Sequence, residues 1–175
     1  MTEADRAADR VPDRAPDRAL DRVPAGYRLL AGPPPLADYL ALRERSGLSP
    51  RRPDQAAVAL DGGWAAVTVV HLETSAFVGM GRVIGDGGWY FHVIDMAVLP
   101  EHQRRGLGDA ILAALLARIR AQAPPGAYVS LLADPPGRKL YQRHGFAETA
   151  PGSVGMAQLL GSPAAGPAAG RGRPA

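Results

Sequence analysis

His92-Val-Ile-Asp95-Met96-Ala97-Val98-Leu-Pro100-Glu-His-Gln103-Arg104-Arg105-Gly106-Leu107-Gly108-Asp109-Ala-Ile111-Leu-Ala-Ala-Leu115 decides the fold of this chain. An apolar run of strand character ends at Pro100, a basic turn with two glycines follows, and an amphipathic helix starts at once. Strand, turn and helix in this order make an anion site. The first N–H groups of a helix have no partner within it, and the positive end of its dipole lies behind them. Gly106 and Gly108 carry no Cβ, so a ligand can come close to the backbone. The expected ligand carries a phosphate or pyrophosphate.

Spacing removes two classes of phosphate binder. A Walker-type loop ends in Gly-Lys-Ser/Thr, whereas Leu-Gly-Asp follows Gly106 here. A dinucleotide fingerprint needs a third glycine, which Gly106-Leu107-Gly108 lacks; Gly79, Gly81 and Gly85 miss that spacing too. The turn from Gln103 to Gly108 instead resembles the Gln/Arg-x-x-Gly-x-Gly/Ala signature of the GNAT N-acetyltransferase superfamily. A second segment, Asp134-Pro-Pro-Gly137-Arg-Lys-Leu140-Tyr141-Gln-Arg-His-Gly145-Phe146, is similar to that family's Asn-x-x-Ala-x-x-Leu-Tyr-x-x-x-Gly-Phe. Leu140, Tyr141, Gly145 and Phe146 match; Asp134 and Gly137 depart from the usual Asn and Ala. A carboxylate only accepts hydrogen bonds, so Asp134 cannot reproduce every contact of an amide. The two segments cover residues 92–146 in the family's order.

The resemblance implies acetyl-coenzyme A as cosubstrate and a direct transfer of its acetyl group to an amine. Its pyrophosphate is expected on Gln103, Arg104, Arg105, Gly106, Leu107, Gly108 and Asp109, with Asp134 nearby. Its pantetheine arm is expected beside the backbone of Met96, Ala97 and Val98, as an added strand. Arg104 and Arg105 read either as phosphate partners or as solvated loop cations. Tyr141 holds the family position of the acid that protonates the leaving thiolate, the alternative being a core aromatic. An amine attacks only when neutral, so a base helps. His92 is the candidate, with a structural histidine as the competing reading. Regular alternation places His92, Ile94, Met96 and Val98 on one face and Asp95 on the other. Asp95 reads as a hydrogen-bonding structural residue. Arg82, amid apolar neighbours, needs a partner or an acidic substrate.

Around this stretch the pattern alternates between strand and helix. Strands are expected at Tyr27–Leu30, Trp64–Leu72, Phe77–Ile84, Trp89–Leu99 and, as a buried strand, Tyr128–Ala133. A last pair is expected at Phe146–Thr149 and Gly155–Leu160. Helices are expected at Pro35–Arg45, Pro53–Leu60, Gly106–Ala121 and Pro135–His144, the third with Leu107, Ile111, Leu115 and Ile119 on one stripe. The fold class is α/β: one domain with a mixed sheet, mostly antiparallel as the resemblance implies, and helices on both faces.

A chain of 175 residues suits one such domain. The domain is placed at 25–160, between a tail at 1–24 and a Pro/Gly/Ala-rich tail at 161–175. The first tail repeats Asp-Arg every four residues and offers almost no apolar face, so it reads as disordered. The absence of cysteine excludes thiolate catalysis, disulfides and Cys-bound metal. No His, Asp and Glu grouping has metal-ligand spacing, so no metal is expected. Charges are mixed in sign around a net +3, which points to neither nucleic acid nor membrane. The chain reads as cytoplasmic, its partner a small-molecule amine. It reads as a monomer or homodimer, the latter by pairing edge strands near 146–160. Two alternatives stay open: a protein or peptide N-acetyltransferase, and a non-catalytic coenzyme A-binding sensor. His102 and His144 read as exposed.

Overall fold

The computed structural model describes residue 20 and residues 22–160. The Asp-Arg repeat, apart from Arg22, and the 161–175 tail lie outside the described residues. Leu20 and Val23 pack against the core from the near side of that boundary.

Five strands form one sheet in chain order: β1 (Tyr27–Ala31), β2 (Ala65–His71), β3 (Phe77–Gly85), β4 (Tyr90–Val98) and β5 (Tyr128–Leu131). The first three pairings are antiparallel, as short connections permit; β4 and β5 are parallel. Their crossover is α3 (Leu107–Gln122). Helices α1 (Leu36–Arg45) and α2 (Pro53–Asp61) cover the other face, and α4 (Arg138–Arg143) follows a one-turn 3-10 helix at Pro135–Gly137. No described helix is long and apolar enough to cross a membrane.

The core lies mainly between α3 and β2–β4. Leu107, Ile111, Leu115 and Ile119 are buried as their stripe predicts, joined by Leu112 and Leu116. The helix can sit this close because β3 presents glycines to it. A Cβ on Gly81 would lie 2.6 Å from Ile111 Cγ2 and 2.7 Å from Met96 Sδ. Gly81→Ala is therefore expected to lower stability by about 1–3 kcal/mol through overpacking. Equilibrium urea unfolding checks it; a change under about 0.5 kcal/mol would mean α3 shifts freely.

Two expectations fail at the end of the chain. Tyr128–Ala133 is not a buried strand: β5 is short and at the sheet edge, with Tyr128 exposed and Val129 to Leu131 half-buried. The pair at 146–149 and 155–160 does not form; the segment runs as turns and irregular chain. Val154, Met156, Leu159 and Leu160 are all exposed. Pro151, Gly152 and Gly155 interrupt a run too short to bury one face, so strand propensity gains nothing from packing. A homodimer built by pairing edge strands at 146–160 has no strands there to pair.

Candidate active site

The decisive feature of β4 is a bulge. Met80 pairs with Ala97 and Arg82 with Ile94, so Asp95 and Met96 together oppose Gly81. Asp95 takes the extra position at φ +54°, in the left-handed region. The expected alternation breaks there. His92 and Ile94 share the α1–α2 face with Arg82 by register, and Asp95 bonds to Arg82 on that same face. Met96, which crowds Gly81, and Val98, opposite Gly79, belong to the α3 face. The face assignment of Met96, Val98 and Asp95 relative to His92 is thus corrected: one added residue reverses every side chain beyond it.

A buried cluster holds the bulge. The Asp95 carboxylate accepts from the Arg43 guanidinium, from Arg82 Nη1 at 2.7 Å and from Tyr39 Oη at 2.7 Å. Arg43 also donates to the Ser49 carbonyl from Nε and Nη2, at 2.9 and 2.8 Å, and Arg82 donates to the Ala59 carbonyl in the last turn of α2. The two Arg side chains are only 6% and 3% exposed. Burial pushes the Asp95 carboxyl up, but the Tyr39 hydrogen bond and the two guanidiniums outweigh it and leave it below its ordinary value. Arg82 therefore serves a core-edge carboxylate, not an acidic substrate. The cluster ties α1, α2 and the loop between them to the bend in β4.

Beyond the bulge β4 parts from β5: Val93 with Leu131 is their last pair. On the β3 side the Leu99 N–H donates to the Val78 carbonyl. The Val98 carbonyl turns to the outer edge, where Gln103 Nε2 takes it at 2.9 Å. Alternation puts the Met96 N–H and C=O on that outer edge and those of Ala97 on the β3 side, opposite Met80. An incoming arm thus finds Met96 free of strand partners. Gln103 braces the turn against β4, a contact its motif position did not announce.

The turn leads straight into the α3 N-terminus. Arg104 (φ +57°) and the N-cap Gly106 (φ +84°) are left-handed, and no side chain caps the helix. The first bond back into the turn is from Ala110 N to Gly106 O. The N–H groups of Leu107, Gly108 and Asp109 accordingly lack intrahelical partners at the end of a 16-residue helix. The space over Gly108 is open, since a Cβ there would meet only Leu140, at 3.4 Å. Arg104 and Arg105 are exposed, and Arg105 reaches back to the Glu101 carbonyl at 3.3 Å. The donor set fits a pyrophosphate: neutral N–H groups, a helix dipole and two arginines.

The Asp109 carboxylate is engaged, accepting from His144 Nε2 at 3.0 Å with Arg143 at 3.5 Å, so what Asp109 can offer a ligand at the turn is its backbone N–H. His144 is thus not a free surface residue; it fastens the end of α4 to the start of α3. His102 is likewise engaged, its Nδ1 2.9 Å from Tyr27 Oη. Tyr141 is half-buried on α4, against Phe146 at a ring distance of 6.2 Å. Burial first, and then the nearby Asp134 charge, push its phenol up, so it keeps its proton. Asp134 is exposed ahead of the Pro135–Gly137 turn.

His92 is half-buried, and that burial pushes its pKa down. Its Nδ1 lies 2.7 Å from Ser130 Oγ across the parallel pair. His92 and Tyr141 make no direct contact. Ser130, the hydrogen-bond partner of His92, lines a cavity of about 400 Å³ along β5 together with Arg138 and Tyr141. Reading the sequence missed Tyr39, Arg43 and Ser130. An arginine one turn after a tyrosine on a helix face, and a serine within a short apolar strand, were the available signals.

Residues 63–148 match the family model described as an acetyltransferase (GNAT) domain. A Staphylococcus aureus protein described as a probable acetyltransferase is 37% identical, with a TM-score of 0.72 over 76% of this chain and 98% of that one. A GNAT family acetyltransferase from Streptococcus pneumoniae has 22% identity and a TM-score of 0.65, over 78% of this chain and 99% of its own. Arabidopsis thaliana glucosamine-6-phosphate N-acetyltransferase has 13% identity and a TM-score of 0.56, over 75% of this chain and 98% of its own. These last two share the fold. No curated protein matches.

Proposed function

Because the chain belongs to the GNAT family of acetyltransferases, a membership that implies acetyl-coenzyme A as the acetyl donor, we propose that it acetylates the primary amine of a small molecule by direct transfer. The observation that carries the reading is the meeting of three partnerless N–H groups, on Leu107, Gly108 and Asp109, with the open outer edge of β4 at Met96. One holds a pyrophosphate, the other an extended arm, and the chain between them is too short for two unrelated sites. The bound thioester supplies an activated acyl group. His92 takes a proton from the attacking nitrogen, and Tyr141 delivers one to the departing sulfur. Arg43 and Arg82 pin α1 and α2 beside the β4 face that carries His92, which favours a small acceptor over a protein surface.

Calorimetry is expected to show acetyl-coenzyme A and coenzyme A binding in the low-micromolar range or tighter; no binding of either would overturn the assignment. Thiol release is then followed across polyamines, amino sugars, arylalkylamines, amino acids and a peptide with a free N-terminus. Turnover of a small amine supports the proposal. Turnover of the peptide alone replaces it with the protein-directed activity, and binding without any turnover with a sensor.

A further inference from the structure

We propose that Ser130 is a positioning residue: it accepts the Nδ1–H of His92, holds the imidazole in one tautomer and leaves Nε2 as the basic nitrogen. The inference rests on the reading of His92 as the proton acceptor. Register places the two residues side by side, His92 on β4 opposite Ser130 on β5. The Nδ1 to Oγ distance of 2.7 Å is the shortest contact of either group. Ser130 Oγ also lies 3.1 Å from Tyr90 Oη and 3.4 Å from the Phe91 carbonyl oxygen. A hydroxyl has one proton and two lone pairs. The Phe91 carbonyl can only accept, and Tyr90 Oη can accept as well, so the Ser130 proton has two destinations away from the ring. With that proton turned away, Oγ faces Nδ1 with a lone pair and the ring must donate. A neutral imidazole carries one N–H, so Nε2 is then the acceptor. Burial of the ring, which lowers its pKa, keeps it in this neutral form.

The chemical step is defined atom by atom. As the new C–N bond forms and the C–S bond breaks, the electron pair leaves on sulfur, which takes its proton from Tyr141 Oη. The proton lost by the amine nitrogen goes to His92 Nε2, while the other proton stays on Nδ1, hydrogen-bonded to Ser130 Oγ throughout. Solvent returns both groups to their starting state.

Long-range proton–nitrogen NMR on protein with labelled histidines reads the tautomer without any acceptor. The chain has four histidines, and His92→Gln serves only to identify the His92 signals. At mildly alkaline pH, native protein and Ser130→Thr are expected to show His92 protonated on Nδ1. Ser130→Ala is expected to shift the tautomer ratio toward Nε2–H by about threefold to tenfold, the size of one hydrogen bond. With the fastest amine of the panel, kcat/KM should fall in Ser130→Ala and recover in Ser130→Thr, while acetyl-coenzyme A affinity is unchanged. A native His92 protonated on Nε2, or a ratio indifferent to Ser130→Ala, overturns the proposal. Neither outcome touches the acetyltransferase reading, which the binding experiment decides.

Discussion

Replacing Asp95 by alanine is expected to remove about 3–5 kcal/mol of folding stability, the largest effect of any single change outside the α3 core. Among the described residues the carboxylate is the one anion bonded to these two almost wholly buried guanidiniums, and without it Arg43 and Arg82 lose their counter-charge. A loss of that size is a large part of the 5–15 kcal/mol that holds an ordinary domain together. Alanine also tolerates the left-handed backbone at φ +54° poorly. Asp95→Asn separates the two effects: asparagine accepts that conformation and keeps one oxygen acceptor, so its loss should be smaller. Urea midpoints at constant slope measure both. A loss below about 1 kcal/mol in the alanine variant would show that the cluster does not hold the bend. The pH dependence follows the same sign. Asp95 has a folded pKa below its unfolded one, so its contribution is present at neutral pH and is lost as pH falls through the folded value.

Tyr141→Phe is expected to lower kcat by about a hundredfold or more, with acetyl-coenzyme A affinity within about twofold of native. The ring stays, so packing against Phe146 stays; only the hydroxyl, and with it the proton at Oη, goes. Native rate against pH should show a broad plateau. His92 must be neutral and is depressed by burial, so the acid limb falls below histidine's ordinary value. Tyr141 must be protonated and is raised by burial and by Asp134, so the alkaline limb lies above tyrosine's ordinary value. In Tyr141→Phe the alkaline limb should vanish. If kcat is unchanged, or the limb persists, Tyr141 is a packing residue and another group or solvent protonates the sulfur.

The course of the chain was legible where a signal is local. The strand–turn–helix from His92 to Leu115 needed only apolar periodicity and two glycines. The boundaries of α1, α2 and β1–β3 follow from apolar patterns and from the turns at Glu73–Ser75 and Asp86–Gly88. The 146–160 segment shows the converse. Its strand-like composition was real, but a strand forms only where a neighbour and a core await it, and β5 is left as the edge. Asp95 shows the same limit more sharply. Nothing in Val-Ile-Asp-Met-Ala tells that one residue is extra to the ladder, because a bulge is a relation between two strands.

Local sequence was enough for the glycine-containing turn before α3, the order of elements, the helix stripe against the sheet, and the donor that the family resemblance implies. Those properties depend on residues within a few positions of one another. It took the folded chain to show which side chains share a face beyond Asp95, that Arg43 comes from 52 positions away to meet its carboxylate, and that Ser130 comes from 38 positions away to meet His92. Such contacts are fixed by register and packing, where a shift of one residue turns every side chain to the opposite face.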